Sequence, residues 1–262
     1  GIYALRGANV EINDTVVQDV ADRGISISGL AGARLNNVTV LRSGVDGIQS
    51  FQGSTIRFMG TVSSNNNIRD GVNIADSAGA YLTAAALTAN GNGRHGISVA
   101  NNSGLMVDTS SIIVQNGLGS ASNNGKGIQV FGGSSIHLQN SSSILNEDNG
   151  QDGIGVGSAS SFYMDNTSML TVRSAKRYGI NVWSDSSVQL NGATLVENSV
   201  NIGVTIGTGS NLMLFGSAGT MTLQNNVNAG LNIYQGSVSV DAASTLAVSG
   251  TTGQGNGINL GN

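Results

Sequence analysis

Hydrophobic and polar residues alternate along this chain in short runs, and the runs recur. The recurring phrase is a glycine, an aliphatic residue, a variable position and a small or apolar residue. It begins at Gly1, Gly24, Gly47, Gly71, Gly96, Gly127, Gly153, Gly179, Gly203, Gly230 and Gly257, at intervals of 23 to 31 residues. Two further alternating runs follow within each period. The second is led by a small residue, as in "SSIHLQ" (134–139) and "SSVQLN" (186–191). The third closes on an amide or small polar residue, as in "IIVQN" (112–116) and "TLVEN" (194–198). A period of two puts one face of each run in a core and the other in solvent, and no run has the 3.6-residue period of a helix.

Three short strands in every 25 or so residues, separated by Gly/Asn/Ser turns, describe one coil of a solenoid. One coil cannot bury its own inner face, whereas stacked coils share a continuous core. The expected fold is therefore all-β: a single parallel β-helix over residues 1–262, of about eleven coils with three short strands each. At about 4.8 Å between strands the rod would be roughly 50 Å long. The chain has 39 glycines and no proline, which suits strands that must all donate ladder hydrogen bonds.

Stacking converts equivalent positions into columns. The column closing the third run holds Asn65, Asn90, Asn116, Asn146, Asn198 and Asn225 among its members. Its amides are expected to hydrogen-bond along the rod as a structural ladder. The glycine phrase, the serine-led second run and this asparagine column together resemble the right-handed parallel β-helix superfamily, the pectate-lyase-like fold. Handedness is implied by that resemblance and by the general preference for right-handed crossovers. The superfamily includes lyases, hydrolases, epimerases, phage tailspikes and inert surface passengers, so it implies a fold before it implies a function.

The residues before the glycines form another column, in which Asp46, Asp70, His95, Lys126 and Asp152 follow one another on five coils. Carboxylates beside a histidine are what acid–base glycoside chemistry uses. The phrases "GVDGI" (44–48), "RDGV" (69–72) and "RHGIS" (94–98) are similar to a polygalacturonase site, which implies Asp46, Asp70 and His95 as catalytic candidates. Gly44 stands where that family has an asparagine, and Arg69 replaces the first residue of its aspartate pair. A guanidinium stays protonated and cannot serve as the missing acid. The competing expectation is an exposed charge ladder, with Arg69, Arg94 and Lys126 neutralising the aspartates. In that case His95 only fills a repeated slot.

Four positions beyond the glycines, strand parity points Phe51, Phe131, Trp183 and Tyr234 outward. They are the candidate glycan-binding residues. Beside them runs an outward polar column that includes Gln49, Asn73, Ser98 and Gln129. The insertion "GLGSASNNG" (117–125) is expected to overhang the line next to His95.

Composition narrows the partners. There is no cysteine and only two histidines, so neither a disulfide framework nor a metal centre is expected. No cofactor motif appears. The net charge of −4 speaks against nucleic acid, which needs a basic stripe, and no apolar run is long enough for a membrane span. The chain opens and closes at the same phase of its repeat, without a visible cap. Its coils are therefore expected to stack end to end on copies of themselves or to continue in a longer chain. These readings favour an exported structural or adhesive element of the cell surface or extracellular space, with self, polysaccharide or a host surface as partner. A polysaccharide-active enzyme and a passive glycan binder are the alternatives.

Overall fold

The computed structural model describes residues 1–115, 125–251, 253 and 257–261. Asn116 and nearly all of the 117–125 insertion lie outside them. The described chain is all-β, and each strand pairs in parallel with the equivalent strand one coil away. The glycine phrases build one eleven-stranded sheet from Ile2–Ala4 to Ile258–Gly261. Its register joins Ile25, Ile48, Val72, Ile97, Ile128, Ile154, Ile180, Val204 and Leu231 in a single column. All nine are buried, each stabilising the rod by about 1.5–3 kcal/mol through removal of apolar surface from water.

The other two sides belong to a second, sixteen-stranded sheet. Three short strands per coil were expected, but the early coils have two. Asn9–Gln18, Gly32–Leu41, Thr55–Asn65 and Gly79–Thr88 are continuous strands of 10 or 11 residues that carry both the second and the third run. One left-handed residue bends each of them: Asp14, Asn37, Gly60 and Ala84, with φ between 48° and 59°. In the later coils Ser110, Ser142 and Ser168 point inward at this corner. The hydroxyls accept the N–H groups of Ala85, Ser110 and Ser142 one coil before, and the strand divides in two. A second buried serine ladder, Ser103, Ser134, Ser160, Ser186 and Ser210, does the same at the preceding corner. It accounts for the serine that leads the second run.

The asparagine column read from the sequence is three columns. Asn65 closes the strand Thr55–Asn65 and Asn90 lies two residues past the strand Gly79–Thr88; the Asn65 Oδ1 accepts the Asn90 N–H at 2.8 Å. Asn146 pairs in register with Val114 and Val172 and is buried in the core. Asn198 and Asn225 are exposed turn residues with φ of 58° and 55°. The buried amide ladder stands slightly further along the turn, at Asn67, Asn92, Asn149 and Asn226. The Asn67 Oδ1 accepts the Ser43 N–H at 2.9 Å, and the Asn92 Oδ1 accepts the Asn67 N–H at 3.0 Å. Asn226 gives Ser199 the same bond at 3.0 Å. Turn N–H groups buried at a corner need such partners.

Candidate functional site

The line before the glycines is buried beside the first sheet. Asp46, Asp70 and Asp152 are fully buried, and His95 and Lys126 nearly so. The expected ion pairs form, but they are not an exposed ladder. Each aspartate is covered by an arginine from the following coil: Arg69 Nε is 3.8 Å from Asp46, Arg94 Nε 2.7 Å from Asp70 and Arg177 Nε 2.7 Å from Asp152. Arg94 and Arg177 bind their carboxylates through two nitrogens, the geometry in which such pairs are strongest.

The same oxygens also satisfy the backbone. Asp46 Oδ1 accepts the Asp70 N–H at 3.2 Å, and Asp70 Oδ1 accepts the His95 N–H at 3.0 Å. His95 continues the series, its Nδ1 accepting the Lys126 N–H at 3.3 Å. An acceptor nitrogen carries no proton, so this ring is neutral with its hydrogen on Nε2. Burial, reinforced by the charges of Arg94 and Lys126, pushes its pKa down to about 3. Asp46, Asp70 and His95 are therefore brought into one line, each accepting a backbone N–H from the next coil. Asp46 is further held by Asn73 Nδ2 at 3.1 Å and Gln49 Nε2 at 3.4 Å. Gln49, Asn73, Ser98 and Gln129 are all buried, although strand parity alone placed them on an open face.

A cleft opens where this line meets the aromatic column. It encloses about 390 Å³, between Asn73 and Ala75 on one coil and Trp183 four coils on. Arg94, His95, Lys126 and Phe131 line its middle. Trp183 reaches it because the coil of Gly153 carries glycines where its neighbours carry side chains. A Cβ on Gly157 would sit 2.1 Å from Trp183 Cε2, and one on Gly155 would sit 3.2 Å from Cη2 and 3.0 Å from Lys126 Cδ. The indole therefore lies across Gly155 and Gly157, with Lys126 Nζ 4.3 Å from its ring centroid. That ammonium also donates to Gln129 Oε1 at 2.5 Å and stands 3.8 Å from Asp152. Burial lowers the Lys126 pKa, and Asp152 opposes the shift.

Of the four aromatic candidates, Phe131 and Trp183 share this cleft, while Phe51 and Tyr234 are not in its lining. Trp183 was legible by strand parity. The two glycines that seat it were not, because they read as ordinary members of a glycine-rich repeat. Among the described residues no group of acidic and histidine side chains has metal-site geometry. No helix is long and apolar enough to cross a membrane.

Residues 1–116 match the family model described as a right handed beta helix region. The fold is that of the right-handed parallel β-helix superfamily. No curated protein matches the sequence. Among solved structures, a double mutant of the periplasmic alginate epimerase AlgG is similar at 12% identity and a TM-score of 0.42, with 98% of this chain covering 70% of that one. The A-module of the Azotobacter vinelandii mannuronan C-5 epimerase AlgE4 is similar at 11% identity and a TM-score of 0.30, over 95% of this chain and 91% of that one. The catalytic domain of a GH87 alpha-1,3-glucanase is similar at 11% identity and a TM-score of 0.32, over 100% and 63%.

Proposed function

We propose that this chain is a non-catalytic β-helix of the cell surface or extracellular space that holds carbohydrate in the cleft of Trp183. The observation that carries this reading is the seat of the indole. Two glycines in one strand leave room for a large aromatic ring beside an ammonium, a guanidinium and a set of amides. An aromatic face with hydrogen-bonding groups at its edge suits a pyranose ring, which presents C–H faces and a rim of hydroxyls. Placement outside the cell belongs to the same proposal.

Against catalysis stands the chemistry of the line. Two buried carboxylates each hold an arginine and a backbone N–H, and the histidine nitrogen that would act as base accepts a backbone hydrogen bond. The experiment is retention of the full chain on immobilised polysaccharides, run beside an assay for reducing ends and unsaturated sugar from a polyuronate. Retention lost in Trp183→Ala, with no product from either protein, is the expected result. Product release that Asp70→Asn abolishes would replace this reading with the enzymatic one. Retention unchanged in Trp183→Ala would remove the cleft from it.

A further inference from the structure

A second aromatic track runs along the second sheet. In the second sheet the outward positions Tyr81, Met106, His137 and Tyr163 stand in register on four successive coils. His137 and Tyr163 meet edge to face with centroids 4.4 Å apart. Tyr81 and Met106 are among the more exposed large side chains of the molecule, at 39% and 36%. The neighbouring outward column is small: Gly79, Gly104 and Ser135 occupy it on the first three of these coils.

A large column beside a small one makes a groove parallel to the rod axis. It has a volume of about 450 Å³. The Tyr81 ring leans over Gly79, with Cε2 3.5 Å from where a Cβ would stand. This is the same device, an aromatic ring laid against a glycine, that seats Trp183. Among the described residues no aspartate, glutamate, lysine or arginine lines the groove. The charged members of the same column, Glu11, Arg34 and Arg57, lie on earlier coils.

We infer that this groove is a second glycan site, taking a neutral linear polysaccharide that runs along the rod. Ring faces, serine hydroxyls and a lining without formal charge match an uncharged chain of pyranoses, and the nearest cation of the column, Arg57, stands beside Tyr81 on the preceding coil, outside that lining. Tyr81 and His137 stand two coils apart in the groove with the Met106 thioether between them, roughly 10 Å at about 4.8 Å per coil, so two sugars of one chain can be engaged together. With the Trp183 cleft on another face, the rod would hold two saccharide chains at once, and the two contacts would reinforce each other on a polymeric surface. The inference uses none of the residues of that cleft and fails separately from it.

The test is affinity electrophoresis of the full chain in the Trp183→Ala background. The gels contain hydroxyethyl cellulose or dextran, with polygalacturonate as the anionic comparator. The expected result is retardation in a neutral gel, with the apparent affinity reduced about tenfold by Tyr81→Ala through loss of ring contact. Gly104→Gln should give the same reduction by filling the groove. Its Cβ has ordinary clearance, with the nearest neighbouring atom at 3.7 Å, so this variant guards against a Tyr81 variant that misfolds. Failure of both neutral gels to retard the protein, or retardation that neither substitution changes, overturns the inference. So does sedimentation showing a dimer that both substitutions dissociate, because the face would then be an interface between copies of this chain.

Discussion

The Nδ1 of His95 takes the N–H of Lys126 at 3.3 Å, one coil after the Oδ1 of Asp70 takes the N–H of His95 at 3.0 Å. A carboxylate and a neutral imidazole thus perform the same task on successive coils. The phrase "RHGIS" therefore supplies the ladder with an unusual acceptor. Because the folded protein holds this histidine neutral, acid should destabilise it. The folded pKa is about 3 against an ordinary value of 6.5, so the unfolded chain binds a proton that the folded chain refuses. Stability from this residue is therefore complete above pH 6.5 and declines as pH falls towards 3, by up to about 1.4 kcal/mol per pH unit. Denaturant melts at pH 7, 6, 5 and 4.5 should show that slope. His95→Asn, which keeps an acceptor that does not titrate, should flatten it. An unchanged slope in the variant would mean that His95 titrates normally.

Asp70 differs from a surface carboxylate in having no water to fall back on. Asp70→Ala would orphan the His95 N–H and leave the Arg94 guanidinium without its bidentate partner. Breaking a buried pair costs about 3–5 kcal/mol, and the partial exposure of Arg94 places this case near the lower bound. Asp70→Asn retains an oxygen for the His95 N–H and should lose roughly half as much. The ordering of the two variants in urea denaturation is the check. Equal stabilities would show that the backbone bond contributes nothing.

Much of the architecture was legible because stacking repeats one physical requirement on every coil. The glycine phrase marked all eleven strands of the first sheet, and its apolar positions are the core columns. The depth of the charged line was not legible. Alternation shows that a residue points away from the core, but not that neighbouring coils will roof it over. The burial of Asp46 depends on Arg69, Asn73 and Gln49 converging from three positions in two coils. The asparagine ladder was placed only in part: Asn65 and Asn90 do bond along the rod, while Asn146, Asn198 and Asn225 stand elsewhere. The chain is rich in asparagine at every corner, and only the hydrogen bonds distinguish Asn67 and Asn92, which hold neighbouring coils together, from Asn198, which turns the backbone at the surface.

That distinction can be measured. Asn92 accepts two hydrogen bonds from Asn67 and donates one to the Ser64 carbonyl at 3.0 Å, all buried. Asn92→Ala should destabilise the rod by about 2–4 kcal/mol, since each stranded buried group costs roughly 1–3. Asn198 holds φ at 58° in an exposed turn, a conformation that glycine adopts without strain. Asn198→Gly should therefore change stability by under about 0.5 kcal/mol. Thermal melts of the two single variants would separate the columns, and comparable losses would restore the single ladder expected from the sequence.

The seat of Trp183 gives the sharpest test of how the cleft is built. Gly157 has no unusual φ, so alanine is acceptable to the backbone there. The three atoms nearest the added methyl all belong to the indole, whose Cε2 lies 2.1 Å from its position. Gly157→Ala should therefore lift Trp183 off the strand and part it from Lys126, at a cost of about 1–3 kcal/mol from overpacking. Trp183 is the only tryptophan in the chain, so its fluorescence reports on the seat directly. We expect a red-shifted emission and stronger quenching by iodide in the variant, together with loss of polysaccharide retention equal to that of Trp183→Ala. Gly207→Ala is the control: its Cβ would approach Trp183 no closer than 3.5 Å, and emission and retention should stay those of the wild type. If Gly157→Ala moves the emission but leaves retention intact, then the ring is a structural cover for Lys126 rather than a binding face.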